Sequence, residues 1–251
     1  MEHLPLISVI IPTYNAIDSI HLAIESICQQ SYDALEVIVV DYRSKDGTID
    51  VIKQFQFEDT RVRLICSDEK GIYAAMNLGV GQANGTWLYF LGSDDKLADS
   101  NVISSIFRQK IDPATELILG KVKNINRSSQ YIPEIYNNSF SSMLYWRNTL
   151  HHQGVFYHKH IFERFLYNQQ FPVLADYCLN IQLYLDGVKA QHFSQLIALS
   201  NANGLSKQFS RNLYNEELAL KKKLLPPWIY RLNQILVKIK INLKAKNRVE
   251  N

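Results

Sequence analysis

Four short apolar runs alternate with segments of helical periodicity over the first hundred residues, and this alternation limits the possible folds more than any other feature. The runs cover residues 7–12, 35–40, 62–66 and 87–91, and polar or glycine-containing turns bound them. The segments between them repeat apolar residues at spacings of three and four, as amphipathic helices do. Strands that alternate with helices predict a mostly parallel sheet with right-handed crossovers. We therefore expect the carboxyl ends of these strands to share one edge of the sheet.

The same periodicity predicts the other element boundaries. Helices are expected over residues 18–30, 48–55 and 72–82, and the glycines at 79, 81 and 85 are expected to break the third of them. Further along the chain, the pattern predicts a helix over 100–110, a strand over 117–122 and a polar hairpin or loop over 123–136.

Three carboxylates follow the second and fourth apolar runs. Asp41 ends one run, and Asp94 and Asp95 come directly after the turn that ends the other. In open α/β sheets, ligands bind at the edge formed by the carboxyl ends of the strands. Carboxylate oxygens suit Mg²⁺ or Mn²⁺, and Mg²⁺ typically uses one or two of them together with substrate phosphates. The alternative is that the Asp pair forms a turn or caps a helix, where Asp is favoured in any case.

The composition is that of a folded globular protein. With 251 residues, of which 47% are hydrophobic, the chain fits one large α/β domain with appendages, or at most two domains. Its three cysteines are scattered without metal-ligand spacing, which favours a reducing compartment. The first residues lack the pattern of a signal peptide, and no apolar run approaches the roughly 18 residues that span a bilayer. We expect a cytoplasmic protein.

Charge is distributed unevenly along the chain. Residues 221–251 contain nine Lys or Arg and one Glu, so residues 1–220 have a net charge of −5 within a chain total of +3. An acidic body is a poor general binder of nucleic acid, because phosphate contacts need Lys and Arg. A basic tail, by contrast, is suited to an anionic surface.

Four motifs occur in order along the first hundred residues: 9–15 (VIIPTYN), 36–48 (EVIVVDYRSKDGT), 68–77 (DEKGIYAAMN) and 90–95 (FLGSDD). Together they resemble family 2 glycosyltransferases of GT-A fold, especially bacterial enzymes that build surface polysaccharides on lipid carriers. The resemblance is strong over residues 5–100 and looser to about residue 210. It implies a GT-A-type α/β domain over 1–220, with a Rossmann-like, mostly parallel central sheet and flanking helices. The nucleotide-sugar half of this domain covers about 1–100 and its acceptor half about 101–220. Independently of the resemblance, the basic segment 221–251 is expected to add an amphipathic C-terminal helix.

The resemblance implies a nucleotide-sugar site, most simply for a uridine diphosphate (UDP) sugar, in which Lys70 opposes the diphosphate as a point charge. It also implies that Asp95 binds Mn²⁺ or Mg²⁺, a cation that stabilises the negative charge growing on the departing nucleoside diphosphate. The donor-binding residues implied are Pro12, Thr13, Tyr14, Asn15, Asp41, Lys70, Gly71, Asn77, Ser93 and Asp94.

One position departs from the family pattern. After the strand-ending Asp, the family usually has an acidic or small residue and then a glycine, whereas this chain has Tyr42 and Arg43. Arg adopts positive φ less readily than Gly. We therefore expect the loop after Asp41 to differ in shape, with an effect on base selectivity.

The resemblance also implies roles on the acceptor side. Asp176 matches the acid that heads a helix and acts as general base, although the residue types alone equally favour an N-cap. His152 and Gln153 match a segment that contacts the acceptor or the diphosphate, with a structural role as the alternative. Ser206 falls in a glycine-containing segment that closes over the diphosphate in many relatives, or is part of a plain loop. Cys178 replaces an acid that the family often has.

The C-terminal segment predicts an amphipathic helix from Pro226 onward, with basic residues around its apolar face. A basic amphipathic helix with Trp at its start suits an anionic membrane surface. The alternative is a helix packed on the domain with a solvated basic face. The apolar face comprises Trp228, Leu232, Ile235, Leu236, Ile239 and Leu243.

Together these features predict an inverting, metal-dependent transferase that moves a sugar from a UDP-linked donor to a carbohydrate or lipid-linked acceptor in bacterial polysaccharide biosynthesis. Two alternatives stay open at this point. A nucleotidyltransferase would use a similar sheet and metal but needs a Gly- and Arg-rich phosphate loop, which residues 12–15 lack. A non-catalytic adaptor at the membrane surface would keep the fold and tolerate loss of the acids.

Overall fold

The computed structural model describes residues 4–127, 132–201 and 211–249, and its centre is a single mixed sheet. The strands lie in the order β3-β2-β1-β4-β8-β6-β9-β5, and β7 pairs with β6. The strands are β1 (Ile7–Thr13), β2 (Leu35–Asp41), β3 (Val62–Cys66), β4 (Trp87–Phe90), β5 (Lys96–Leu97), β6 (Leu117–Ile125), β7 (Ile135–Asn137), β8 (Val155–His158) and β9 (Ala190–Asn201).

Helices cover both faces of the sheet and form the C-terminal extension. They are α1 (Ile20–Cys28), α2 (Thr48–Glu58), α3 (Ile72–Gln82), α4 (Val102–Phe107), α5 (His160–Arg164), α6 (Ala175–Leu185), α7 (Arg211–Leu224) and α8 (Pro227–Val249). Two 3₁₀ turns, at Ser142–Tyr145 and His152–Gly154, precede β8.

The first half of the sheet is parallel. β1 pairs with β2 and β4, β2 pairs with β3, and every residue of β1, β2 and β4 is buried. Parallel strands covered on both faces become continuous apolar runs, which is why the sequence pattern was readable here. β4 then pairs antiparallel with β8, and this pairing joins the parallel half to a mixed half. The predicted fold class is therefore confirmed.

The predicted strand edge is also present. Thr13 pairs in register with Asp41, and Asp41 pairs with Cys66, so β1, β2 and β3 end side by side. The backbone N–H of Leu91 donates to the Ile10 carbonyl and continues β4 along β1. The turn with Asp94 and Asp95 therefore leaves the sheet at the same edge as Asp41.

The prediction that glycines break the third helix is wrong. α3 is continuous from Ile72 to Gln82. A Cβ atom on Gly79 would lie 2.5 Å from Cγ2 of Ile10 in β1, and 3.4 Å from Cγ2 of Val40 in β2. Gly79 thus allows α3 to approach the sheet closely, and the packing gained there outweighs the low helix propensity of glycine.

Other predicted boundaries shift at their ends. α2 extends to Glu58, and the helix predicted over 100–110 is limited to α4. β6 extends to Ile125, and the polar region after it contributes β7, which forms an antiparallel pair with β6.

The C-terminal helices pack on the domain through a buried lysine. The predicted division between residues 220 and 221 falls inside α7, where the Lys221 side chain is fully buried. Its Nζ donates to Glu217 Oε1 at 2.6 Å, to Asn233 Oδ1 at 2.8 Å and to the Trp146 carbonyl at 3.0 Å. An ammonium that satisfies three acceptors can be buried, and here it joins α7 to α8 and to the turn before residue 148.

Helix α8 packs with a different face from the one singled out by its sequence. Ile229, Asn233 and Val237 are buried against the domain. Of the predicted apolar face, the five described members are exposed, with Trp228 at 63%. No helix in the described ranges is both long enough and apolar enough to cross a bilayer. The exposed members are Trp228, Leu232, Ile235, Leu236 and Ile239.

Candidate active site at the carboxyl edge of the sheet

The loops after β1 and β2 form one polar cup. The fully buried Asp41 accepts the backbone N–H of Ser44 at 2.8 Å, and its second oxygen accepts the Ser44 hydroxyl. Ser44 Oγ in turn accepts the Asn15 N–H at 2.7 Å, and Asn15 Oδ1 accepts the Lys45 N–H at 3.0 Å. Tyr14 is 57% exposed beside this cup, with its ring 5.5 Å from that of Tyr42. A flat exposed ring next to a fixed carboxylate can hold a nucleobase.

Arg43 lies in the left-handed region at φ 47°, which arginine adopts less readily than glycine does. Whether the loop after Asp41 differs in shape from that of relatives stays a prediction. A side chain there costs roughly 1–2 kcal/mol, which the fixed ends of the loop must offset. The Arg43 guanidinium also contacts Asp68 at 2.5 Å, although both side chains are solvent-exposed and such pairs contribute little stability. The loop after β2 thus turns through a left-handed residue that carries a basic side chain.

The remaining donor-side residues differ in where they lie. Lys70 is exposed on the loop before α3, and Gly71 directly precedes that helix at φ 131°. Pro12 is buried within β1, and Ser93 is half-buried in the turn after β4. Asn77 lies in the middle of α3, where its carboxamide pairs at both ends with the backbone of residue 167. A donor-binding role for Asn77 stays a prediction, since the structure gives this side chain a packing contact.

The turn after β4 holds its two carboxylates against the bare α-carbon of Gly92. A Cβ atom there would lie 2.5 Å from Asp95 Oδ2 and 3.2 Å from Asp94 Oδ1. Asp94 is exposed, whereas Asp95 is only 5% exposed. Asp95 Oδ2 accepts Nε2 of Gln153 at 2.5 Å, and Oδ1 accepts the Asn201 N–H at 2.8 Å. The structure thus fixes one carboxylate and leaves its neighbour open to solvent.

Burial raises the pKa of Asp95, and the neighbouring Asp94 raises it further. The Asn201 N–H and the nearby His152 act in the opposite direction without cancelling the shift. A carboxyl group with a raised pKa beside a second carboxylate is an arrangement that a bound cation relieves.

The residues present fit a cation that is shared with a substrate, and do not fit one that the protein holds alone. The described residues include no group of three or more His, Cys, Asp or Glu side chains able to enclose a metal. Mg²⁺, however, typically takes one or two carboxylates plus substrate phosphates. The pair at Gly92, with one fixed and one open carboxylate, has the composition that such a partial site needs.

Asp176 lies in the first turn of α6, where its side chain faces three polar groups. Oδ1 accepts the Tyr73 hydroxyl at 3.1 Å, and Oδ2 accepts Nδ2 of Asn148 at 3.2 Å. His152 Nδ1 is 3.9 Å from Oδ2. Burial, and then the charge of Asp176, raise the pKa of Tyr73 well above its usual value, so this hydroxyl stays protonated.

The alternative that Asp176 caps its own helix is wrong. The residue before α6 is Leu174, and Asp176 makes side-chain contacts instead. Glu216 of α7 instead binds the segment before the helix, because its Oε1 accepts the N–H groups of Val173 at 2.9 Å and Leu174 at 2.7 Å. The Asp176 carboxylate is therefore used in side-chain contacts rather than in capping.

The 3₁₀ turn before β8 brings the two sides of the site together. Gln153 donates a hydrogen bond to Asp95. The adjacent His152 approaches Asp176 and is also near enough to Asp95 to act on it electrostatically. Sequence reasoning named both residues but not this bridging position. It missed Asn148, for which the sequence offers no signal. Ser206 lies outside the described residues. Tyr73, also missed, belongs to the third motif.

Solved structures share this architecture. TarS of S. aureus (residues 1–349, with UDP) matches with a TM-score of 0.67 at 20% identity, over 86% of this chain and 64% of that one. The mannosyltransferase PcManGT from Pyrobaculum calidifontis, with GDP-Man and Mn²⁺, matches with a TM-score of 0.61 at 18% identity, over 86% and 61%. The chain thus spans somewhat less than two thirds of these structures. Its fold is that of GT-A glycosyltransferases.

A family model described as glycosyl transferase family 2 matches residues 8–185. The chain therefore belongs to glycosyltransferase family 2, and it is a glycosyltransferase. Neither the nucleotidyltransferase nor the adaptor alternative is supported. A PGL/p-HBAD biosynthesis glycosyltransferase of Mycobacterium bovis is 30% identical, over 88% of this chain and 86% of the relative. A putative teichuronic acid biosynthesis glycosyltransferase, TuaG of Bacillus subtilis, is 41% identical over 37% of each chain.

Proposed function

We propose that the chain is an inverting, metal-dependent glycosyltransferase that moves a sugar from a UDP-linked donor to a saccharide or lipid-linked acceptor in bacterial cell-surface polysaccharide biosynthesis. One observation carries the proposal: a single turn, residues 152–154, contacts the buried Asp95 on one side and Asp176 on the other. A donor diphosphate beside the first carboxylate and an acceptor hydroxyl beside the second would meet over this turn.

The donor assignment rests on the cup around Asp41. Its carboxylate can accept a base N–H or a ribose hydroxyl, and the exposed Tyr14 can stack on the base. UDP is the preferred nucleotide because TarS, a neighbour in fold, is known in complex with UDP and with UDP-GlcNAc. The acceptor class and the polysaccharide pathway are inferred from relatives in PGL and teichuronic acid biosynthesis.

The reaction we propose is a single displacement. The oxygen of the acceptor hydroxyl attacks the anomeric carbon while Asp176 takes the hydroxyl proton, and the bond from that carbon to the nucleoside diphosphate breaks. Tyr73 and Asn148 hold the carboxylate in place. The Asp94-Asp95 pair would hold Mn²⁺ or Mg²⁺, which when bound supplies positive charge against the diphosphate leaving group. Asp95 is held on the diphosphate side, so the base we assign is Asp176. A single displacement of this kind needs no covalent nucleophile.

Calorimetric titration of the purified protein with UDP, with and without Mn²⁺, tests this function. We expect UDP to bind in both conditions and at least tenfold more tightly with Mn²⁺, because a partial cation site is completed by phosphate oxygens. GDP serves as the matched nucleotide control and is expected to bind more weakly. If neither nucleoside diphosphate binds in either condition, the donor-site assignment is wrong.

We also infer that the exposed face of α8 contacts an anionic membrane surface. One face of α8 is buried against the domain, whereas Trp228, Leu232 and Ile235 are exposed on another face. Arg231 and Lys238 are exposed beside them. An exposed apolar stripe with Trp and flanking basic residues is suited to the headgroup region of anionic lipids. The protein would then act as a peripheral protein at the cytoplasmic face of the membrane, where lipid-linked acceptors are accessible.

The variant Leu232→Glu/Ile235→Glu is expected to bind anionic vesicles at least tenfold more weakly than the wild type, because it removes apolar contact and adds repulsion. Co-sedimentation with vesicles of phosphatidylglycerol and phosphatidylcholine measures the change. Phe57→Glu is the matched control, since Phe57 is 91% exposed on α2, away from this helix. Equal binding by the double variant and the wild type would remove the membrane assignment and leave α8 as a packing helix.

A further inference from the structure

Gln153 is a buried glutamine that contacts both strand β4 and the carboxylate that follows this strand. It is 6% exposed. Its backbone carbonyl accepts the hydroxyl of Tyr89 in β4 at 2.8 Å, and its side-chain Nε2 donates to Asp95 Oδ2 at 2.5 Å. Asp95 follows the same strand, β4. The glutamine is therefore anchored on the strand that leads into the carboxylate it contacts.

The turn that carries Gln153 is itself fixed by a buried asparagine. Asn138 Nδ2 donates to the carbonyls of Gly120 at 2.9 Å and Gly154 at 3.0 Å, and its Oδ1 accepts the His151 N–H at 2.6 Å. Both ends of the Asn138 carboxamide are thus used on the backbone around residues 151–154. Hydrogen bonds on either side of Gln153 leave its side chain few alternative positions, which is the condition for placing another group accurately.

The orientation of the Gln153 carboxamide follows from its chemistry. A carboxylate only accepts hydrogen bonds, so the N–H side of the amide must face Asp95. The amide oxygen, Oε1, is then buried with no hydrogen-bond partner in the described part of the chain. A buried acceptor without a partner costs about 1–3 kcal/mol. Leucine or methionine would fill the same space without that cost, so packing does not explain a glutamine here.

We propose that Gln153 is a positioning residue for the metal-binding carboxylate. Its N–H group holds Asp95 Oδ2 in one place, and each carboxylate oxygen keeps a further lone pair for a cation. The buried amide oxygen, which has no partner among the described residues, could accept a hydrogen bond from a water on that cation if one is bound. This inference rests on the metal-dependent donor binding proposed above. It adds Gln153, from the turn at residues 152–154, to the Asp94-Asp95 pair as a determinant of metal binding.

A comparison of Gln153→Met with Gln30→Met tests the proposal. Gln30 is also 6% exposed, and its carboxamide bonds only to backbone: Nε2 to the Ser26 and Asp99 carbonyls, and Oε1 to the Ile103 N–H. Methionine keeps the length of either side chain and removes its hydrogen bonds. The two variants therefore remove equally buried amides, only one of which touches a carboxylate.

Mn²⁺ affinity at saturating UDP, measured from the electron paramagnetic resonance of free Mn²⁺, is the readout. We expect Gln153→Met to bind Mn²⁺ about 10–100-fold more weakly, which is the usual cost of losing a partner of a metal ligand. Its affinity for UDP without metal should stay within twofold of the wild type. Gln30→Met should change neither quantity. Combined with Asp95→Asn, the Gln153 substitution should cause no additional loss.

Each other result has a defined meaning. A folded Gln153→Met protein with Mn²⁺ affinity within twofold of the wild type overturns the inference and leaves the proposed function intact. A wild type whose UDP affinity does not respond to Mn²⁺ removes the metal dependence, and the inference with it. If Gln153→Met does not fold, Gln153→Asn replaces it, because it keeps the amide but is one carbon too short to reach Asp95. Failure of both variants to fold makes Gln153 a structural residue and overturns the inference.

Discussion

Asp176→Asn is expected to lower the rate of sugar transfer by about 10²–10⁴-fold, the usual contribution of a general base, while UDP binding stays unchanged. Asparagine keeps the shape of the side chain and an oxygen for Tyr73, but it cannot take the acceptor proton. UDP release from UDP-GlcNAc, with bacterial membranes as the acceptor source, measures the rate. Calorimetry with UDP checks that the donor site is intact.

Asp186→Asn is the matched control for this experiment. Asp186 follows the last turn of the same helix, α6, and its exposed carboxylate pairs with Arg164 at 2.5 Å. Loss of a surface ion pair costs about 0–1 kcal/mol of stability and should not alter the rate. If Asp176→Asn retained more than a tenth of the wild-type rate, Asp176 would not be the base, and its contacts with Tyr73 and Asn148 would be structural.

Asp95→Asn is expected to abolish the strengthening of UDP binding by Mn²⁺ and to lower the transfer rate at least 100-fold. The substitution keeps an oxygen that can accept from Gln153 but removes the negative charge that a divalent cation needs. Titration with UDP at increasing Mn²⁺ concentration measures the first effect, and the UDP-release assay measures the second. Affinity for UDP without metal should change little, because the hydrogen bonds named above for the cup around Asp41 do not involve this turn.

Asp99→Asn is the control for that variant. Asp99 lies four residues further along the chain, is exposed, and accepts the Asn101 N–H at 2.7 Å, a bond that asparagine can keep. It should leave the Mn²⁺ response unchanged. A retained Mn²⁺ response in Asp95→Asn would place the cation elsewhere or assign it to Asp94 alone.

The donor half of the fold could be predicted from the sequence because its strands are buried on both faces. Each one is then a continuous apolar run, and the polar residue that ends it marks the sheet edge. Asp41 and the Asp94-Asp95 pair were located in this way, and the structure places them at one edge. The error at Gly79 arose because a glycine that weakens an isolated helix can serve close packing in a folded one.

The acceptor half could not be predicted to the same extent, because its contacts join residues far apart in the chain. Gln153 meets Asp95 across 58 positions, and Tyr73 meets Asp176 across 103. No periodicity encodes such pairs. Arg43 illustrates a different limit: its left-handed backbone is set by the loops around it, which override the preference of the residue itself.

The buried Lys221 means that the C-terminal helices are not a detachable anchor. Its ammonium group binds the Trp146 carbonyl, and Asn233 of α8 donates to the carbonyl of Tyr145. These carbonyls lie two and three residues before Asn148, which contacts Asp176. Trimming the chain ahead of Lys221 to make it easier to handle would leave this segment without its supports, so a shortened enzyme would lose catalytic competence along with its tail.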